Sequence, residues 1–332
     1  MKKGFKIFAS CLLLLVSCFS YGQDIHFSQF YNSPLNLNPS LVGAFNGDFR
    51  FVGNQRTQWS SVTAPYATFG LSADANSVAG TPVGVGLSMY NDRAGDSDFS
   101  TLQIGLGVSY KLTIDSTQNI QFGMQPVYTL RSINYNDLKF DNQYNGSFYD
   151  ANLGNGETFA NSGENYFNLH AGISYHKIID QRKEINGGIS LHNLVKPQQT
   201  FFNADIPLHQ RITLHAGGLF KVSDKVDVLP NISFQKQHKF KEIIFGGQGK
   251  YHLNNGNYKA IYGGIWYRNS DATYFNVGLD YADFHFGISY DLNLSSLSVA
   301  SHNRGGFEFS VIYIISRFKP DIKRYKACPD YI

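Results

Sequence analysis

Five histidines, His170, His192, His215, His252 and His285, share the face of their segments opposite a run of large apolar residues. Imidazole is the commonest metal ligand, so such a cluster could hold a transition metal. No pair stands at i,i+2 or i,i+4 beside a carboxylate, and a polar interior collects histidines in any case, so no metal is assigned. A hydrolase would need a nucleophile, a base and an orienting group within hydrogen-bond reach. Ser190 with His192, and Ser289 with Asp291, are same-face pairs of suitable type, but alternating segments produce such pairs by chance. Arg56, Arg93, Arg131, Arg211 and Arg268 could select anions in a channel. Pairing with Asp74, Asp280, Asp291 and Glu308, which would keep an interior neutral, is the preferred reading.

The segments that carry these residues alternate strictly. Phe284, Phe286, Ile288, Tyr290, Leu292 and Leu294 are separated by His285, Gly287, Ser289, Asp291 and Asn293. Leu102, Ile104, Leu106, Val108, Tyr110, Leu112 and Ile114 repeat the pattern. A strand turns successive side chains to opposite faces, so one face is greasy and the other is Gly, Ser, Asn and His. Lipid outside and a polar lumen inside account for this better than a soluble sandwich. The expected fold is all-β, a closed antiparallel transmembrane barrel of the outer-membrane type with about fourteen strands. They fall near 47–58, 66–75, 82–91, 99–114, 118–133, 165–176, 183–194, 209–222, 225–236, 240–253, 258–268, 272–281, 283–294 and 305–316.

The connections give an independent check. Those after even-numbered strands are short (Asp224, Asn254 to Asn257, Ala282), while 92–98, 134–164, 195–208 and 295–304 follow odd-numbered ones. Outer-membrane barrels have short periplasmic turns and long external loops, so both termini are expected in the periplasm. Beyond the leader no apolar run approaches the roughly 18 residues of a membrane helix. The 21 Tyr and 27 Phe suit interfacial girdles. Glycines inside strands, such as Gly105, Gly107, Gly187 and Gly217, ease bending and close packing.

Four parts are expected: a signal peptide over 1–22, a periplasmic or lumen-plugging segment over 23–46, a barrel over 47–316 and a basic tail over 317–332. Lys2, Lys3 and Lys6, the apolar run Ile7 to Phe19 and small residues near Gly22 mark the leader. Cleavage after Gly22 is preferred; a competing lipoprotein reading makes Cys18 the acylated first residue. Removing the leader takes away three of the 28 basic residues and leaves 25 against 25 acidic, so a nucleic-acid footprint is absent. Mature cysteine is then Cys328 alone, unless Cys18 survives. The loop 134–164 holds Asp137, Asp141, Asp150 and Glu157. In the tail, Arg317, Lys319, Lys323, Arg324 and Lys326 could meet an acidic periplasmic partner or anionic lipid.

Residues 24–43 read Asp-Ile-His-Phe-Ser-Gln-Phe-Tyr-Asn-Ser-Pro-Leu-Asn-Leu-Asn-Pro-Ser-Leu-Val-Gly. This resembles the N-terminal signature of the PorP/SprF family, outer-membrane proteins of the Bacteroidota type IX secretion and gliding machinery. Further similarity follows in order: Arg56 to Trp59, Tyr66-Ala67-Thr68, Ser72-Ala73-Asp74, Tyr90 to Gly95, Tyr267-Arg268 with Asp271, Ser289-Tyr290-Asp291 and Cys328-Pro329. One departure is Gly305-Gly306-Phe307-Glu308, where the family tends to show Gly-Gly-His-Glu.

The resemblance implies a non-enzymatic accessory barrel without a cofactor, embedded in outer-membrane lipid. Its implied partners are periplasmic ring components and secreted, adhesin-like cargo that it helps to export or to hold at the surface. Candidate partner-binding residues are Lys323, Arg324, Lys326 and Cys328 at one end and His26, Phe27, Phe30 and Tyr31 at the other. The alternative is a passive or substrate-specific outer-membrane pore.

Overall fold

The computed structural model describes residues 24–58, 65–95, 97–135, 138–150, 152–156, 161–201, 205–294 and 304–316. The leader 1–22 and the tail 317–332, with Lys323, Arg324, Lys326 and Cys328, lie outside them.

Fourteen antiparallel strands form one closed barrel, each paired with its neighbour in the chain. They are β1 Phe49–Gln58, β2 Tyr66–Ala75, β3 Val83–Ala94, β4 Phe99–Thr113, β5 Gln118–Ser132, β6 Gly163–Asp180 and β7 Lys183–His192. The second half holds β8 Arg211–Lys221, β9 Val226–Gln237, β10 Phe240–Asn255, β11 Tyr258–Arg268, β12 Ala272–Tyr281, β13 Phe284–Asn293 and β14 Arg304–Ile315. Closure is between β1 and β14, in register from Phe49 opposite Ile315 to Gln58 opposite Gly306. Closure leaves no strand edge exposed, which a membrane-spanning sheet requires. No helix among the described residues is long and apolar enough to cross a membrane.

The outer face is the greasy one. Ile104, Leu106, Val108 and Tyr110 are exposed, while Gly105, Gly107 and Ser109 between them are buried. In β13, Ile288, Tyr290 and Leu292 face out, and Ser289, Asp291 and Asn293 face in. Some strand ends differ from the sequence reading: β3 carries Asp92 and Arg93, β6 runs on to Asp180, and β10 runs through Asn255, leaving Gly256 and Asn257 as the turn. Two-residue turns also join β6 to β7 and β12 to β13. These belong to one mouth of the barrel; the other carries the long connections 133–162 and 193–210.

Candidate functional site: a lumen built around an internal segment

The first described residues are folded inside the barrel. Asp24–Val42 makes two short 3-10 turns, Phe30–Asn32 and Pro39–Leu41, around the single α-turn Pro34–Leu37, α1. The sequence dictates these turns locally. Pro34 and Pro39 each occupy the first turn of their helical segment, where a missing N–H costs nothing. The Asn38 side chain accepts the Ser40 N–H (2.9 Å) and hydroxyl (2.8 Å), capping the last turn.

A buried charge cluster grips the front of this segment. The Glu308 carboxylate accepts the N–H groups of Ser28 (2.7 Å) and Gln29 (2.9 Å). Arg268 donates to Asp291 (3.1 Å) and to the Ser28 hydroxyl (2.6 Å), which itself donates to Asp291 (2.9 Å). Arg56 donates to the His26 carbonyl (2.9 Å), and the Tyr274 hydroxyl to the Ser28 carbonyl (2.6 Å). Arg56 and Glu308 are each 1% exposed. Charged groups removed from water this fully must be paired and hydrogen-bonded. Here the internal segment supplies much of that bonding through its own main chain. Burial holds the His26 imidazole below its ordinary pKa, opposed by Glu242 and assisted by Arg56 and Arg268. His26, 3.6 Å from Glu242, is therefore mostly neutral at pH 7.

Two further arginines hold the segment elsewhere. Arg50 forks onto Asp74 (3.0 and 2.7 Å) and donates to the Leu41 carbonyl (2.9 Å), while the Gly43 N–H donates to Asp74 (2.7 Å). Arg211 donates to the Ile25 carbonyl (3.3 Å). Around Phe30 and Leu37, the wall residues Ile244, Trp266 and Tyr274 form an apolar core, with Tyr31 stacked on Trp266 at 4.8 Å. Across the lumen, Pro39–Leu41 lies against β4, β5 and β6. A side chain at Gly123 would run into the Pro39 carbonyl, and one at Gly107 into Val42. These glycines make room for the segment itself: at Gly107 the close packing expected of strand glycines is packing against the segment, and Gly123 does the same.

The expected pairing of lumen charges needs revision in detail. Asp74 pairs with Arg50, which the sequence reading passed over, and Asp280 bonds His285 (2.7 Å) and Tyr262 (2.6 Å). Arg56 and Arg268 do meet Asp291, at 3.5 and 3.1 Å, but Arg93 is an exposed neighbour of Asp98. Arg131 donates to the Gln199 carbonyl (2.9 Å) and lies over Phe99, tying down the 193–210 connection.

The histidines disperse. His252 bonds Asp227 (2.7 Å), His215 bonds Asn38 (3.1 Å), and His170 meets His192 (3.1 Å). No group of three metal-ligating side chains occurs among the described residues. Ser190 does reach His192 (3.0 Å), yet its hydroxyl also bonds the Leu37 carbonyl (2.9 Å), and both residues are 1% exposed beneath the internal segment. Ser289 receives the Gln29 amide.

His26, Phe27, Phe30 and Tyr31, read from sequence as partner-facing, sit within the lumen. Phe27 packs with Ile25 and Tyr90, and Phe30 lies edge-on to Trp266. Phe27 is 1% exposed there and Phe30 4%.

The fold is that of known outer-membrane channels. The Ralstonia pickettii toluene transporter TbuX matches with a TM-score of 0.51 and 9% identity, over 85% of this chain and 92% of that one. The CymD monoaromatic hydrocarbon channel matches at 0.51 and 11%, over 89% and 96%. The P. putida toluene transporter TodX matches at 0.51 and 10%, over 86% and 95%. At such identities the likeness is one of architecture. No curated protein matches the sequence. The family model described as type IX secretion system membrane protein PorP/SprF matches residues 19–313, so the barrel, with its specific opening segment now seen inside the lumen, belongs to the PorP/SprF family.

Proposed function

We propose that this chain is a non-enzymatic accessory barrel of type IX secretion that supports export or surface attachment of particular cargo, such as large adhesins. In this reading the signal peptide is removed, and the short turns and both chain ends face the periplasm. The basic tail, through Lys323, Arg324, Lys326 and Cys328, meets ring components, and the long connections meet cargo outside.

The observation that favours a scaffold over an open pore is the filled lumen. Asp24–Val42 is bonded to wall groups on several sides, and two of the spaces beside it measure about 20 Å³ each, room for about one water. A pore needs a continuous aqueous path, and a scaffold does not. Purified protein in a planar bilayer is expected to show no steady conductance; stable ohmic channels from the native chain would favour the pore.

A second experiment addresses the partner. Removing residues 320–332 is expected to leave a folded, heat-modifiable barrel that no longer supports export. Replacing Lys323, Arg324 and Lys326 by Ala should weaken ring association at low salt, with the difference from the native tail shrinking as salt rises, since exposed charges are screened over about 8 Å at physiological ionic strength. Normal export by the truncated barrel would reduce the tail to a solvated end.

A further inference from the structure

Besides the core at Ile244, Trp266 and Tyr274, a second group of apolar side chains lies inside the barrel near the short-turn mouth. There Leu219, Leu229, Ile312 and Ile314 line a cavity of about 400 Å³, and Phe30, Leu37 and Leu41 of the internal segment line it from the other side. That volume lies within the range of about 300–1,000 Å³ typical of ligand pockets. Its lining residues Glu184, Asp280, His285 and Ile314 all lie within five residues of strand ends at this mouth.

Three observations define what would fit. Tyr31 lines the cavity, and its hydroxyl is buried with no hydrogen-bond partner, a costly state that a ligand acceptor would relieve. The amides of Asn186, Asn231 and Gln248 stand among the apolar side chains, so a purely hydrocarbon occupant would leave polar groups unsatisfied. The lining holds two carboxylates and neither lysine nor arginine, which argues against an anionic ligand. Asp280 is already met by His285, Tyr262 and Lys250, whereas Glu184 has the half-buried His176 at 3.1 Å. Glu184 is therefore the carboxylate best placed to receive a cation.

The adjoining part of the lumen already solves the same recognition problem. It holds a polypeptide by placing carboxylate, guanidinium and hydroxyl groups on successive main-chain atoms while apolar side chains enter the wall. From this we infer that the cavity is a docking pocket for a short extended segment of another protein, one carrying apolar side chains and a cationic one, entering from the short-turn mouth. The Tyr31 hydroxyl donates to a carbonyl of the segment, the amides meet its main chain, and Glu184 meets its cation. The inference rests on the accessory reading only for the source of the segment.

The test uses the full-length barrel in detergent micelles and a fluorescent acetylated pentapeptide, Leu-Asn-Lys-Phe-Leu. Saturable anisotropy beyond that of empty micelles is expected, with about tenfold weaker binding when Glu replaces Lys in the peptide. Leu229→Trp, which fills the cavity, should weaken binding by a similar factor. Should that variant fail to fold, Tyr31→Phe removes only the unpartnered hydroxyl and should weaken binding several-fold. Affinities unchanged by Tyr31→Phe and by the Glu-for-Lys exchange would overturn the pocket. So would saturable binding of toluene without any of the peptide. Export in cells carrying Tyr31→Phe separates the two readings: peptide binding weakened with export intact leaves the pocket standing and shows that its segment does not come from the export partner, while loss of export on removing residues 320–332 tests the accessory role by itself.

Discussion

The two halves of the internal segment are held by a different balance of contacts. Asp24–Asn32 is gripped by charge: Glu308, Arg56, Arg268 and Asp291 reach its main chain and Ser28 from β14, β1, β11 and β13. Pro34–Val42 is held by close fit against Gly107 of β4 and Gly123 of β5 and mostly by neutral hydrogen bonds, from Asn38 to carbonyls of β6 and β7 and from Ser190, Ser109 and Gln121 to the Leu37 and Val42 carbonyls, with Arg50 on the Leu41 carbonyl. Removing one partner from a buried charge pair costs about 3–5 kcal/mol, because the other is left unpaired. Crowding a close contact costs roughly 1–3 kcal/mol. The front half is thus the more firmly specified, and also the half that a single substitution can free most completely.

The largest expected effect is that of Glu308→Met. It strands the Ser28 and Gln29 N–H groups and removes a carboxylate 3.9 Å from Arg56, so the front half should lose roughly 3–5 kcal/mol. Amide hydrogen exchange read by mass spectrometry should show residues 24–32 losing protection while 34–42 keep much of theirs. Simultaneous loss in both halves would mean that the segment leaves as one body, and the division would fail.

Gly123→Leu sharpens the comparison from the other side. Its side chain meets the Pro39 carbonyl, so exchange should rise over 38–42 first, with a penalty of roughly 1–3 kcal/mol and the heat-modifiable gel shift retained. Unchanged protection there would show that the wall yields and that shape is not what holds this half. Tyr274→Phe removes one bond, to the Ser28 carbonyl, and should cost about 1 kcal/mol in the front half alone. Effects of equal size in both halves would again break the distinction.

The smallest effect concerns pH. Burial lowers the pKa of His26 while the segment is seated, so the released state binds the proton more readily. The seated state therefore weakens as pH falls through about 6.5, the ordinary value that His26 regains on release. Protection of residues 24–32, measured relative to the intrinsic exchange rate at each pH, should fall between about pH 7.5 and 5.5. His26→Gln should flatten that response; an unaltered response would assign it to another group.

Much of this was legible in the sequence, and the limit has a physical form. Strand count, lipid-facing residues and the parity of long and short connections follow from a period of two, a property of neighbouring residues on one strand. The wall side of the site was harder. Ile243-Ile244, Ile265-Trp266-Tyr267 and Tyr274-Phe275 break the alternation with consecutive large apolar residues. Their inward members Ile244, Trp266 and Tyr274 form the core around Phe30 and Leu37. Those doublets were the available signal for a lumen that is greasy in one place, and a reading tuned to alternation passed over them.

By itself, then, the sequence determined the strands, their two faces and the short proline-started turns of residues 34–41, because dihedral preference and side-chain alternation act locally. Only the tertiary structure decided which charges meet. Arg56 stands opposite Glu308 because β1 closes on β14, Ser289 stands opposite Glu308, Tyr274 opposite Asp291, and Arg50 opposite Asp74. These neighbours lie up to 252 positions apart, and register between strands is fixed by the whole closed sheet together with the segment packed inside it.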